Sequence, residues 1–267
     1  MIEYLLAFGA SILAGGINAV AGGGTLITFP SLLWIGLDPV VANITNTVAL
    51  WVGSLFGAFG FKDRAKETKD LLLPLLTASL LGALLGAILL IITPSQTFRS
   101  FVPFLILFAV LMLALSELIK RFLSSFVIGG GKVSPFVSLP LQFLTGMYGS
   151  YFGAGIGIMM LASLTLSGVY NIHNANALKN LLGFSINLLG ALIFVLSGKV
   201  DWSFALVMMP GFALGGYTGA HLSQKFKPKV IKLFVVLWGL FLALYMLLPK
   251  LLVFNLFRDT EKAPLLP

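Results

Sequence analysis

Apolar residues run along this chain in long unbroken stretches, punctuated by glycine, proline and short clusters of charge. Stretches free of Lys, Arg, Asp and Glu cover residues 4–37, 39–61, 71–98, 133–178, 180–198 and 202–224. Each meets or approaches the ~20 residues that a helix needs to cross ~30 Å of hydrocarbon. Breaks at Gly, Pro and charge divide the chain into helical segments near 4–20, 25–37, 40–61, 71–92, 98–119, 134–151, 156–168, 174–197, 203–222 and 232–249. The second and seventh hold about 13 residues, roughly 20 Å as helix, and are too short to cross a flat bilayer alone. They read as half-helices or re-entrant segments.

Composition agrees with this pattern. With 58% apolar residues, 10% charged residues and a mean hydropathy of +1.03, 267 residues cannot make a soluble domain. The expectation is an all-α polytopic, multi-pass membrane protein. Met1-Ile2-Glu3 is acidic where a secretory signal would be basic, so the first helix is expected to be retained. The absence of Cys removes thiol catalysis, thiolate metal sites and disulfides.

A net charge of +8 would suggest nucleic acid in a soluble protein, but here the basic residues sit in short connections and report orientation instead. Lys62, Arg64, Lys66, Lys69, Lys120, Arg121, Lys132, Lys225, Lys227, Lys229 and Lys232 fall on one side of the membrane. Arg99, Lys199, Lys250, Arg258 and Lys262 fall on the other. The richer side is expected to be cytoplasmic, which leaves both termini outside.

Sliding the chain against itself by 133 residues superposes Ala21-Gly22-x-Gly24 on Ala154-Gly155-x-Gly157, Ala42-Asn43 on Ala175-Asn176, and Leu55-x-Gly57-Ala58 on Leu188-x-Gly190-Ala191. The register persists through Gly82 and Gly86 on Gly215 and Gly219, and Arg99 on Lys232. The basic loop 62–69 is expected inside while its counterpart 195–202 lies outside, so the two halves are expected to be inverted repeats of about five segments each. The implied division is a first membrane repeat 1–125, a cytoplasmic linker 126–133, a second repeat 134–252 and a C-terminal tail 253–267. Inverted repeats with broken helices recur in secondary transporters, with the substrate site near the midplane at the repeat interface.

The breaks fall at matching places, Ala21-Gly-Gly-Gly-Thr25 and Phe152-Gly-Ala-Gly-Ile-Gly157. Glycine there lets the backbone leave helical geometry and approach a ligand, and a half-helix starting after each break presents a positive dipole end suited to an anion. Close helix packing is the competing reading of these glycines. Lys179 is the one Lys, Arg, Asp or Glu between Lys132 and Lys199, and a lysine at a helix centre costs roughly 2.5–3.5 kcal/mol without a partner, a wet cavity or an escape to the interface. Either it serves an anion site with its neighbours in Asn174-Ala-Asn-Ala-Leu-Lys-Asn180, or it snorkels to the interface near His173. The repeat aligns Asn46 with Lys179 and Thr47 with Asn180. Amide and hydroxyl donors beside one ammonium can replace the water around a small oxyanion. Singly, Asn and Thr in membrane helices are as readily interhelical glue worth about 0.6 kcal/mol. His173 is a candidate proton-coupling group or a helix cap. Gly82/Gly86, Gly211/Gly215 and Gly215/Gly219 read as packing positions, and Asp38 and Glu117 as interfacial.

Gly15-Gly-Ile-Asn-Ala-Val-Ala-Gly-Gly-Gly-Thr-Leu-Ile-Thr-Phe-Pro30 resembles the N-terminal signature of the TauE/SafE sulfite exporter family of anion transporters. Asn174-Ala-Asn-Ala-Leu-Lys-Asn180 is similar to a variant of its second-half motif, and Ile156 departs from the pattern by interrupting the second glycine run. The resemblance covers nearly the whole chain and implies movement of sulfite, thiosulfate, organosulfonates or related sulfur anions across the cytoplasmic membrane.

Together these readings make the chain a secondary transporter, an exporter of such anions by alternating access. The substrate site is expected from Asn18, Gly22, Gly23, Gly24, Thr25, Asn43, Asn46, Thr47, Gly155, Gly157, Asn176, Lys179 and Asn180. The expected partners are a sulfur anion, a coupling proton or sodium ion, the lipid bilayer and a second copy of the chain, with no nucleic acid, metal or cofactor. An anion channel, or an uptake permease for another small organic anion, would use the same features. An intramembrane enzyme is poorly supported: the chain has no His-Glu-x-x-His, and Gly129-Gly-Gly-Lys132 lacks the spacing and the preceding strand of a phosphate loop. A scaffold would leave the buried charge and the paired breaks unexplained.

Overall fold

A computed structural model describes residues 1–59, 69–125, 135–169, 171–222 and 228–261 as eleven helices with no strand among them. In chain order they are α1 (Ile2–Ala21), α2 (Thr25–Ile35), α3 (Pro39–Phe59), α4 (Lys69–Ile92), α5 (Ser95–Ala114), α6 (Ser116–Ser125), α7 (Pro135–Tyr151), α8 (Ile156–Leu166), α9 (Ile172–Leu196), α10 (Trp202–Leu222) and α11 (Pro228–Glu261). Five of them, α1, α3, α4, α5 and α9, are long and apolar enough to cross a membrane, so the chain is a multi-pass membrane protein. Leu13, Leu73, Phe104, Leu206 and Leu237 stand exposed on the bundle's outside, as a lipid-facing surface requires.

The short segments are as short as the sequence predicts: α2 and α8 have 11 residues each, about 16 Å of helix. Two differences lie at segment ends. The apolar stretch near 98–119 is two helices, because Leu115 breaks it and the next ten residues form α6, whose Glu117, Lys120 and Arg121 make it amphipathic. Helix α11 continues to Glu261, through residues that the sequence reading places in a tail. Asp38 is a cap: its Oδ1 accepts from the Val40 and Val41 N–H groups at the start of α3 and from the Ser95 hydroxyl. Asp201 caps α10 in the same way, through Ser203 and Phe204.

Small residues set the tightest helix pairs. Helix α1 lies along α10 with Gly15 against the backbone of Gly215 and Gly216 and with Gly16 against Gly219. Helix α7 lies along α4, where a Cβ on Gly82 or Gly86 would overlap the carbonyl oxygens of Phe143 and Met147. The packing reading of these glycines therefore holds. Helix α3 packs on α10 and α9 on α4, α3 crosses α9, and α5 crosses α11. Exchanging α1–α5 with α7–α11, in order, maps this set of pairings onto itself. At the centre, Phe29 and Phe98 meet Phe152 with centroids 5.4 and 6.4 Å away, in edge-to-face arrangements that suit their quadrupoles.

Candidate functional site

The two glycine breaks lie against each other. Helix α1 ends at Gly22, whose φ of 74° is left-handed and whose N–H returns to the carbonyls of Ile17 and Asn18. Gly155, at φ 78°, caps the start of α8 and donates its N–H to the Gly22 carbonyl oxygen at 3.0 Å. A Cβ on Gly22 would come within 2.7 Å of the Gly157 Cα, so two glycines are needed where the breaks cross. Gly22 and Gly155 are 133 positions apart in the chain. So are Ser54 and Asn187, and the Asn187 amide donates to the Ser54 hydroxyl at 2.9 Å where α3 crosses α9.

Beside this crossing is a cavity of about 20 Å³ with Asn18, Ser54, Lys179, Asn180 and Asn187 as its polar lining, the Gly22 and Gly157 backbone at one end and Ile156 and Met160 as apolar wall. Room of this size admits about one water and no oxyanion of four or more heavy atoms. Lys179 is 3% exposed, so it does not snorkel to the surface, and its ammonium donates to the Ala19 carbonyl oxygen at 3.4 Å. Ala19 is in the last turn of α1, where outward-facing carbonyls and the dipole favour a cation. The neighbouring Asn180 is buried, and its amide nitrogen has no hydrogen-bond partner. A buried donor without an acceptor is uncommon, and a bound anion or water is what would satisfy it. Among the described residues no acidic side chain lines the cavity.

The cavity thus gathers Asn18, Gly22, Gly157, Lys179 and Asn180 from the sequence-predicted set, and adds Ser54 and Asn187. The sequence signal for that pair was their identical register in the repeat. Another part of the set forms a second buried cluster. The Asn43 amide donates to the Tyr151 carbonyl at 2.8 Å, while Asn46 accepts from the Thr28 hydroxyl and donates to Thr25 Oγ1 at 3.5 Å. Thr47 returns its hydroxyl to the Asn43 carbonyl within α3. Gly23 packs on Leu113 and Val235, and Gly24 against the Ala14 carbonyl, so these two serve the fold. Asn176 is half-buried and does not line the cavity. His173 lies in the first turn of α9, and its side chain is outside the described residues. Among the described residues no three His, Cys, Asp or Glu side chains gather as a metal site.

Comparison with known proteins bears on this arrangement. The family model described as Sulfite exporter TauE/SafE matches residues 7–246. A "Probable membrane transporter protein" of Haemophilus influenzae is 33% identical over 236 residues, 86% of this chain and 89% of the relative. "Probable membrane transporter protein ORF9" of a Sinorhizobium species is 32% identical over 248 residues, covering 91% of this chain and 93% of its own. "Probable membrane transporter protein YfcA" of Escherichia coli K12 is 31% identical over 240 residues, 86% of this chain and 84% of the relative. No solved structure matches.

Proposed function

The chain belongs to the sulfite exporter TauE/SafE family of membrane transporters, and we propose that it is a secondary transporter that exports sulfite or a related sulfur oxyanion by alternating access. The observation that carries this reading is the buried Lys179 beside the unpartnered Asn180 amide, in a cavity with no carboxylate among the described residues, where the two glycine breaks cross. Donors fixed beside an ammonium in a region of low dielectric favour a ligand of negative charge.

On this reading the chain is two inverted repeats in a bacterial cytoplasmic membrane. Helix directions support it. Ile12 and Gly16 of α1 meet Gly215 and Gly219 of α10 in increasing order, so the pair is parallel. The same holds for Gly82 and Gly86 of α4 against Phe143 and Met147 of α7. The Lys199 ammonium bonds the Ile91 carbonyl, which sets the end of α4 beside the turn into α10. Helices α1 and α7 then point in opposite senses, and α1–α2 and α7–α8 are re-entrant hairpins entering from opposite faces. The cavity is too small for the substrate, and a contracted site between two such hairpins fits a state between outward-open and inward-open forms.

The test is sulfite flux into proteoliposomes against empty vesicles. Saturable flux, inhibited by other sulfur oxyanions, is expected; Lys179→Gln should lower it at least about tenfold while Lys199→Gln leaves it within about twofold. Equal effects of the two would remove Lys179 from the site. A channel would only let sulfite follow its own electrochemical gradient, so with the membrane potential held at zero it would not accumulate sulfite whatever second gradient is applied.

A further inference from the structure

We propose that the second buried cluster, where Asn43 and Asn46 of α3 meet Thr25 of α2 and the end of α7, is a binding site for a sodium ion. Asn43 is fully buried, and its amide nitrogen donates to the Tyr151 carbonyl oxygen. That bond fixes the orientation of the amide, because the reverse one would set two oxygens against each other. The Asn43 Oδ1 is therefore a buried acceptor, and it has no hydrogen-bond partner. This is the opposite sign of deficit from the Lys179 cavity, where the unsatisfied atom is a donor.

The residues hydrogen-bonded together in this cluster offer oxygens without formal charge. Thr25 Oγ1, 2% exposed, holds only a long 3.5 Å contact from Asn46 and lies 3.8 Å from where a Cβ on Gly153 would stand. Asn46 and Thr28 pair with each other beside it. Tyr151 is the last residue of α7, so its carbonyl belongs to the partly negative end of a helix that stops inside the protein. Carbonyl ends of interrupted helices together with neutral side-chain oxygens are a setting in which membrane proteins hold sodium.

The repeat register supplies an independent argument. The second-half counterpart of Asn46 is Lys179, whose ammonium sits on the Ala19 carbonyl in the last turn of α1. One interrupted helix end thus carries a cation that is part of the chain. At the end of α7 no lysine stands: the neutral Asn43 amide reaches the Tyr151 carbonyl instead, and the place for positive charge is left to a mobile ion. None of Thr25, Thr28, Asn43 and Asn46 titrates, which argues against a proton there. None is a carboxylate, which argues against a divalent ion.

The test uses the purified full-length protein in detergent, its melting midpoint followed as sodium chloride replaces choline chloride at constant ionic strength. An ion that binds the folded state alone raises the midpoint with its concentration. Sodium is expected to raise it in the wild type and in Lys179→Gln, which separates this site from the anion site. Thr25→Val, which keeps the side-chain shape, should need at least about tenfold more sodium for the same rise. Asn43→Leu, which removes the Oδ1 acceptor, should abolish the sodium-dependent rise. No sodium-specific rise in the wild type overturns the proposal even where the variants fail to fold. So does an unchanged response in both Thr25→Val and Asn43→Leu. Neither result touches the sulfite measurement, which fails or succeeds separately.

Discussion

Lys179 sits where a membrane protein can least accommodate a charge. Its ammonium reaches the Ala19 carbonyl at 3.4 Å, at the end of the α1 dipole. A residue retained for stability would not be a lysine here, since an apolar side chain of similar length fills the same space without desolvating an ammonium. Lys179→Met should therefore leave the melting midpoint unchanged or raise it, by up to the roughly 2.5–3.5 kcal/mol that a central lysine costs, while sulfite flux falls to the level of empty vesicles. A large fall in the midpoint would show instead that the ammonium holds α1 to α9. Asn187 is a different case, because its amide and the Ser54 hydroxyl satisfy each other. In a double-mutant cycle with Asn187→Leu and Ser54→Ala, the coupling measured in thermal melts should be near 0.6 kcal/mol, the usual size for such bonds between membrane helices.

Helices α2 and α8 owe their place to the breaks before them. Gly22 occupies a left-handed conformation and touches Gly157 across the crossing, so Gly22→Ala meets both backbone strain and a collision with main chain, which a rotamer change cannot relieve. Its melting midpoint should drop by the equivalent of more than about 2 kcal/mol. Gly9→Ala, in mid-helix with nothing within 4 Å of the new methyl, should gain about 0.5–1 kcal/mol from helix propensity. If both alanines behaved alike in the melt, the crossing of the breaks would be wrong. These breaks were legible in the sequence because glycine runs and shortened apolar segments leave a local signature, and the matching offset of 133 located both at once. Leu115 left none: a single apolar residue at the end of α5 turns the chain into α6, and only the charges beyond it hint at the change. The division of the polar residues into two clusters was equally hidden. It depends on Asn43 reaching Tyr151 and Lys179 reaching Ala19, partners 108 and 160 positions away that no periodicity relates.

At the scale of the whole molecule, the glycine contacts divide the bundle differently from the chain. Helices α1, α3 and α10 form one block, with Gly53 against Phe212 and Gly216 as well as Gly15 against Gly215. Helices α4, α7 and α9 form the other, through Gly146 on the Ser79 backbone and Gly190 on the Ser150 side chain. Each block takes helices from both halves, and packing this close leaves little freedom within it. Relative motion is then concentrated between the blocks, at the crossing of α3 with α9 and the touching breaks, and the cavity lies in that seam. Admitting an oxyanion to a space of about 20 Å³ requires the seam to open. The chain lacks cysteine, so a pair placed at Ser54 and Asn187 would be the only thiols present. A short bifunctional thiol reagent joining Ser54→Cys to Asn187→Cys should reduce sulfite flux to the level of empty vesicles, and cleavage of the link by reductant should restore the flux of the uncrosslinked double variant. Crosslinking shown to be complete by mass spectrometry, with flux unchanged, would mean that substrate passes without separation at this seam, and alternating access by movement of the two blocks would have to be given up.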